Sequence, residues 1–346
     1  MIMYKLTWEP ICNSQRWYTD SHGSDSVSVP LYQWASDISI DVVCHAFFGP
    51  SLQGNRPDVT RAFMQFEDYS WQALYQYPNF LCGSMNKSRE KVRGAIEEYF
   101  ALPDEQRFDR SWLVAQLEGE MKQLDMSPQD ISALFFQLYW GINANLRKAL
   151  FWALSHLLFD TELMESVRHE TRPAIKGNGI DMSYLLDPQT CPRLLSLWDE
   201  TIRMTAYAAS VRFLTRDIEL GGKTLRKGGW IMIPQRQLHY NTDVFGESAS
   251  TFVADRFVAN PELRKHPSLR PFGGGATLCP GRDYSKHIAL AFIAADLNML
   301  EITLDPPTQH FPMGEEGNPS PGIIGVKGGH DLTVRLRPRA RTENIM

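Results

Sequence analysis

The strongest constraint on the fold is an apolar stretch that begins after Ser127-Pro128-Gln129-Asp130 and runs to about Phe159. Ser127 is suited to cap a helix, Pro128 to fill its first position, and Asp130 to complete an acidic variant of the capping box. From there the pattern covers over thirty residues. At the rise of an α-helix this predicts one element roughly 45–50 Å long, enough to cross a whole domain. It is apolar nearly all round and therefore belongs in a core. Asn143, Asn145, Arg147, Lys148 and His156 interrupt it. A membrane span needs about 18 uninterrupted apolar residues, and no stretch of this chain supplies them.

Burying such a helix takes a large protein, and 346 residues with 43% hydrophobic and 22% charged residues suffice. The same numbers exclude a disordered chain. A net charge of -5 argues against a nucleic-acid partner, which would call for a basic stripe. Cys12, Cys44, Cys82, Cys191 and Cys279 are scattered, odd in number and without a C-x-x-C pair, so neither a disulfide framework nor a zinc ribbon is indicated. A reducing compartment is the simpler expectation. The N-terminus lacks a signal-peptide layout, and the chain as given is expected in the cytoplasm.

The first thirty residues read as irregular, with SHGSDSVSVP as an exposed loop. Helical patterns follow at Leu31–Phe48, where Gly49-Pro50 ends the element, and at Asp58–Tyr75, Lys87–Phe100 and Leu194–Thr205. Beyond these, RFLTRDIEL, WIMIP, Ile302–Leu304 and Leu332–Leu336 read as short strands with turns between them. The expected fold class is mainly α with small β-sheets, as one domain over residues 31–346.

The segment that carries chemistry is Pro271–Ile288, PFGGGATLCPGRDYSKHI. Gly273, Gly274 and Gly275 permit backbone conformations that a Cβ forbids. Cys279 follows at a loop-to-helix junction, where backbone N–H donors and the positive helix end favour a thiolate. A thiolate on a flat loop can serve as an axial haem ligand. A phosphate cradle is the weaker alternative, since neither G-K-[ST] nor G-x-G-x-x-G is present. Upstream, Glu200 and Arg203 lie three apart and share a helix face, and Arg256 could share the same acid.

The string Phe272, Gly273, Gly275, Cys279, Gly281, Arg282 resembles the haem-binding signature F-x-x-G-x-x-x-C-x-G of the cytochrome P-450 superfamily. Glu200-Thr201-Ile202-Arg203 matches its E-x-x-R motif, and Phe252–Phe257 is similar to its meander, whose arginine would be Arg256. Within the superfamily, Trp140–Asn145 followed by Phe151-Trp152 resembles the central helix of the cholesterol 7α-hydroxylase and prostacyclin synthase group. So do Gly275–Arg282, and Pro234-Gln235 with Leu238-His239 ahead of Asp243–Phe245. Ala144 and Asn145 occupy the positions where most members carry an acid and a threonine that relay protons to bound oxygen.

The resemblance implies haem b as cofactor with Cys279 on its iron and Phe272, Gly275 and Gly281 around it. It implies an apolar substrate of terpenoid, steroid-like or polyketide type, of the kind handled in secondary metabolism. Ile142, Tyr207, Ala208, Ala209 and Ile324 would line its pocket. A monooxygenase drawing electrons from NADPH–cytochrome P-450 reductase is the preferred activity. An isomerase or dehydratase needing no reductase, and a shortened remnant without catalysis, are the alternatives. Arg264, Lys265, Arg270, Arg282 and Lys286 would supply a positive docking face. Thr277 stands where a haem-propionate partner is common, leaving Arg212 as the candidate, and Ser285 replaces a usual alanine. Residues from Leu31 onward resemble the second two-thirds of a family member, so the fold would be a cytochrome P-450 domain shortened at its N-terminus. Trp8 and Trp17 do not restore the propionate-binding helix. A missing N-terminal anchor would place the longer protein at the endoplasmic reticulum membrane.

Overall fold

The computed structural model describes residues 26–177 and 179–339, so Trp8, Cys12, Trp17 and most of the segment expected to be irregular lie outside the described residues. The long helices are α1 (Leu31–Phe48), α2 (Val59–Tyr69), α3 (Gly83–Ala101), α4 (Trp112–Gln123), α5 (Pro128–Asn143), α6 (Leu146–Phe159), α7 (Thr161–Thr171), α8 (Pro192–Thr205) and α9 (Arg282–Met299). The strands are β1 (Val27–Pro30), β2 (Ile175–Lys176), β3 (Gly179–Ile180), β4 (Ala209–Phe213), β5 (Ile218–Leu220), β6 (Lys223–Leu225), β7 (Trp230–Pro234), β8 (Leu300–Leu304) and β9 (Thr333–Pro338). The architecture is mainly α with small antiparallel sheets: β1-β9-β8, and the pairs β2-β3, β4-β7 and β5-β6.

Two sequence expectations need correction. Val27–Pro30, the end of the stretch read as an exposed loop, forms β1 and pairs with Thr333–Leu336 of β9. Apolar Val27 and Val29 alternate with Ser28, which is what a half-covered strand requires. The predicted long helix is also not continuous. It breaks at Ala144–Asn145 into α5 and α6. The interruption is shallow, since Ala144 and Asn145 both keep right-handed helical backbone angles, and the two asparagines beside it make different contacts. Asn143 Nδ2 donates back to Tyr139 O at 3.0 Å, and Asn145 turns its oxygen out to another segment of the chain. The start of α5 is as predicted: Ser127 Oγ accepts from the Asp130 N–H at 3.1 Å, with Pro128 in the first turn.

The interior has two apolar clusters that meet along α1. The larger gathers α1, α6, α7, α8, α9 and the β1-β9-β8 sheet, and it includes Trp34, Phe151, Trp198 and Phe292. The smaller lies between α1, α2, α3 and α5, around Phe48, Phe63, Phe135 and Tyr139. Helix α6 is buried nearly all round, including the charged Arg147 and Lys148. Both cations close on Glu67 of α2, with Arg147 Nη2 at 2.7 Å and Lys148 Nζ at 2.6 Å. Among the described residues no helix is long and apolar enough to cross a membrane.

Candidate functional site

Cys279 stands on a loop that closes on itself immediately before α9. The Cys279 N–H donates to Phe272 O at 3.0 Å, and the Gly273 N–H to Arg270 O at 3.0 Å. Gly273 (φ +76°) and Gly275 (φ +69°) hold the left-handed backbone that turns the chain back. Phe272 packs against the main core, whereas Gly275 and Thr277 are exposed and Cys279 is half-buried. Gly281 precedes the first turn of α9, and its carbonyl accepts from Ser285 N–H at 2.8 Å. Arg282 Nη1 donates to Cys279 O at 3.3 Å. Arg212, from β4, reaches the same loop and donates to Thr277 Oγ1 and to Gly274 O. Thr277 and Arg212, read from sequence as a lost and a remaining anion partner, are thus neighbours.

Glu200, Arg203 and Arg256 form one buried unit. Arg203 holds Glu200 bidentately, Nε to Oε2 and Nη2 to Oε1, both at 2.7 Å. Arg256 Nε contacts both carboxylate oxygens at 3.0 and 3.1 Å, and the Val253 N–H donates to Oε1 at 2.9 Å. The remaining guanidinium donors go to main-chain oxygens: Arg203 to His239 and Ala249, Arg256 to Phe245 and Ser248. One carboxylate and two forks thereby fix the path of residues 239–256. From there the connection continues to the cysteine loop, since His239 Nε2 accepts the Arg270 N–H at 3.0 Å.

That bond requires a neutral imidazole. Burial pushes the His239 pKa down to about 4, and burial against Phe252 and Phe311 pushes that of His156 to about 3. An unfolded histidine titrates near 6.5. As pH falls below that value the unfolded state takes up protons that the folded state refuses, so stability drops with decreasing pH. The expected result is a flat urea midpoint above about pH 7. Between about pH 6 and 4 the loss approaches roughly 1.4 kcal/mol per pH unit for each of the two groups. Urea titrations from pH 8 to 4.5 check it, and His239→Gln should reduce the slope by one of the two contributions.

The other expected site residues lie in different surroundings. Tyr207 N–H donates to Gly322 O at 2.8 Å. Its hydroxyl meets Arg236, which also pairs with Glu316 at 2.9 Å. Ala208 is half-buried and accepts from the Gln235 N–H, while Ala209 is exposed at the start of β4. Ile142 is half-buried and touches both core clusters. Ala144 is buried at the helix break. Ile324 is buried with its side chain against Gly314, where a Cβ would come within 2.5 Å. Asn145 Oδ1 accepts the Ile323 N–H at 2.9 Å.

The proposed positive face is largely neutralised. Arg264 and Lys286 face Asp199 at 2.5 and 3.9 Å, Lys265 pairs with Glu262, and Arg282 with Asp283. Sequence reasoning missed the Glu67 cluster and Gly322. The visible signal for the first was two adjacent cations inside an apolar helix, which oblige a buried acid nearby.

A family model described as Cytochrome P450 matches residues 13–323, and the chain belongs to that family. The match begins upstream of Leu31, where the motif resemblance starts. The chain is 29% identical over 281 residues to a cytochrome P450 monooxygenase of Penicillium oxalicum, covering 75% of this chain and 55% of that protein. It is 30% identical over 232 residues to a cytochrome P450 monooxygenase of Penicillium decumbens, covering 62% and 43%. To a 25-hydroxycholesterol 7-alpha-hydroxylase of Rattus norvegicus it is 24% identical over 284 residues, covering 74% and 67%. The chain spans about half the length of the fungal relatives it matches.

The donor chemistry fits the family's cofactor. Among the described residues no group of three or more His, Cys, Asp or Glu side chains could hold a metal ion. A lone half-exposed thiol on a rigid loop suits a metal whose other ligands come from a macrocycle.

Proposed function

We propose that this chain is the haem-thiolate part of a cytochrome P450 monooxygenase acting on an apolar small molecule. The observation that carries the proposal is the Cys279 loop, closed on Phe272 and placed at the head of α9. Cys279 would hold the iron through sulfur, with Phe272, Gly275 and Gly281 shaping the loop and Arg212 offering a cation to a propionate. Bound haem supplies the oxygen activation that no side chain here provides, and a thiolate ligand feeds it electron density. Ile142, Tyr207 and Ala208 contribute the apolar wall against which a terpenoid, steroid-like or polyketide substrate is oriented. The relatives named as monooxygenases support the reaction type, and the relative named as a 25-hydroxycholesterol 7-alpha-hydroxylase supports the steroid-like reading of the substrate. Electron supply by NADPH–cytochrome P450 reductase and a role in secondary metabolism belong to the same proposal.

The test is the carbon-monoxide difference spectrum of the reduced, haem-reconstituted chain. A Soret band at the thiolate position, absent in Cys279→Ala, is the expected result. A thiolate band that survives Cys279→Ala overturns the ligand assignment, and failure to bind haem overturns the proposal for this chain. Product formation without NADPH and reductase would move the activity to rearrangement or dehydration.

A further inference from the structure

The structure assigns Asn145 a positioning role: it latches the segment 320–326 through its side-chain oxygen. This rests on the reading above only in that the latched segment borders the proposed substrate space.

Four observations converge on the latch. Asn145 Oδ1 accepts the Ile323 N–H at 2.9 Å. Gly322 lies flat against the same carboxamide, and a Cβ there would come within 2.1 Å of Asn145 Oδ1 and 2.6 Å of its Cγ. Seven residues on, about two helical turns and so the same face of α6, Trp152 Nε1 donates to Ile324 O at 2.9 Å. On the opposite side the segment is held by main chain, Tyr207 N–H to Gly322 O at 2.8 Å and Ile324 N–H to Thr205 O at 2.9 Å. Segment 320–326 is therefore clamped between α6 and the C-terminal end of α8 with Tyr207 beyond it.

This geometry divides the functions of the carboxamide. Its oxygen is taken by Ile323, at the junction of α5 and α6, where Asn145 keeps a helical backbone and its carbonyl accepts from the Ala149 N–H. A hydroxyl in its place is a shorter side chain and would not reach the same N–H by the same route. Glycine at 322 is the matching half of the contact, since any side chain there would displace the amide. Tyr207, whose hydroxyl is tied to Arg236 and through it to Glu316, fixes the other end of the same wall.

The latch needs an acceptor at position 145, whereas a role at oxygen needs the amide's donor. Asn145→Asp keeps the acceptor and removes the donor, and Asn145→Leu matches the shape and removes both. Hydrogen–deuterium exchange of peptides covering 320–326 reads the latch directly, with or without haem. The expected result is parental exchange in Asn145→Asp and an acceleration of about two- to ten-fold in Asn145→Leu, the equivalent of one net hydrogen bond. Gly322→Ala should accelerate the same peptides. Unchanged exchange in Asn145→Leu, or equal acceleration in the Asp and Leu variants, overturns the latch. Because the readout does not depend on haem, its failure is distinguishable from a failure of the thiolate assignment.

Discussion

Replacing Glu200 by glutamine is expected to cost about 3–5 kcal/mol of stability and to loosen the Cys279 loop with it. The carboxylate is fully buried and accepts from Arg203, Arg256 and the Val253 N–H. Glutamine has nearly the same shape, so packing is preserved while the charge that balances two buried guanidiniums is lost. Both arginines would keep their carbonyl acceptors on residues 239–251, so neither could swing out to water without abandoning those bonds. A surface pair of the same spacing would be worth under about 1 kcal/mol, which makes the measurement decisive about burial. The second effect follows from the chain of contacts Arg203–His239–Arg270–Gly273, which ends in the cysteine loop. Urea unfolding gives the first quantity. Exchange of peptides covering 270–281, compared under native conditions, gives the second. A loss below about 1 kcal/mol would show that the two arginines are solvated. A large loss with unchanged exchange at 270–281 would show that the hub and the loop are independent.

How far the sequence reveals this arrangement depends on whether a residue's partner is local. The E-x-x-R pair is legible because three residues on a helix define one face. The ends of α1 and α5 are legible because Gly49-Pro50 and Ser127-Pro128 act on adjacent backbone. The glycines before Cys279 announce a turn at φ values that only glycine readily adopts. The break between α5 and α6 is not legible in that way. Two asparagines in an apolar helix state that amides need partners, but the partner of Asn145 is the main chain of Ile323, 178 residues away. The strand at Val27–Pro30 is hidden for the same reason, since its ladder partner lies in β9, near the far end of the described chain. The acidic neighbours of the positive face are hidden for a related reason: counting cations ignores the acids that fold beside them, and Asp199 faces two of the five.

Glu67→Gln should destabilise the chain by a similar amount, about 3–5 kcal/mol, with a pH dependence that the Glu200 variant lacks. Glu67 bridges Arg147 and Lys148 from opposite carboxylate oxygens, and all three side chains are buried. Arg147 retains other contacts, Ser36 Oγ at 3.3 Å and the Tyr32 ring at 5.0 Å from its guanidinium carbon. The acid is the one hydrogen-bond acceptor found for the Lys148 ammonium among the described residues. Burial already lowers the pKa of Lys148, against the pull of Glu67. Without that pull it falls further, and the folded protein can relieve the cost by releasing the proton. A folded pKa below the unfolded value near 10.4 means that the unfolded state binds the extra proton, so stability rises with pH over that interval. Arginine offers no such relief, because it stays protonated throughout. The variant should therefore recover part of its loss between about pH 7 and 10 and rise more steeply with pH than the parent, in which Glu67 still opposes the effect of burial on Lys148, as urea unfolding at both ends of the range would show. Glu67→Gln/Lys148→Met should be more stable than Glu67→Gln alone at pH 7 and should lose the pH dependence. If the double variant is no better than the single one, Lys148 is not the uncompensated charge, and the cost lies with Arg147.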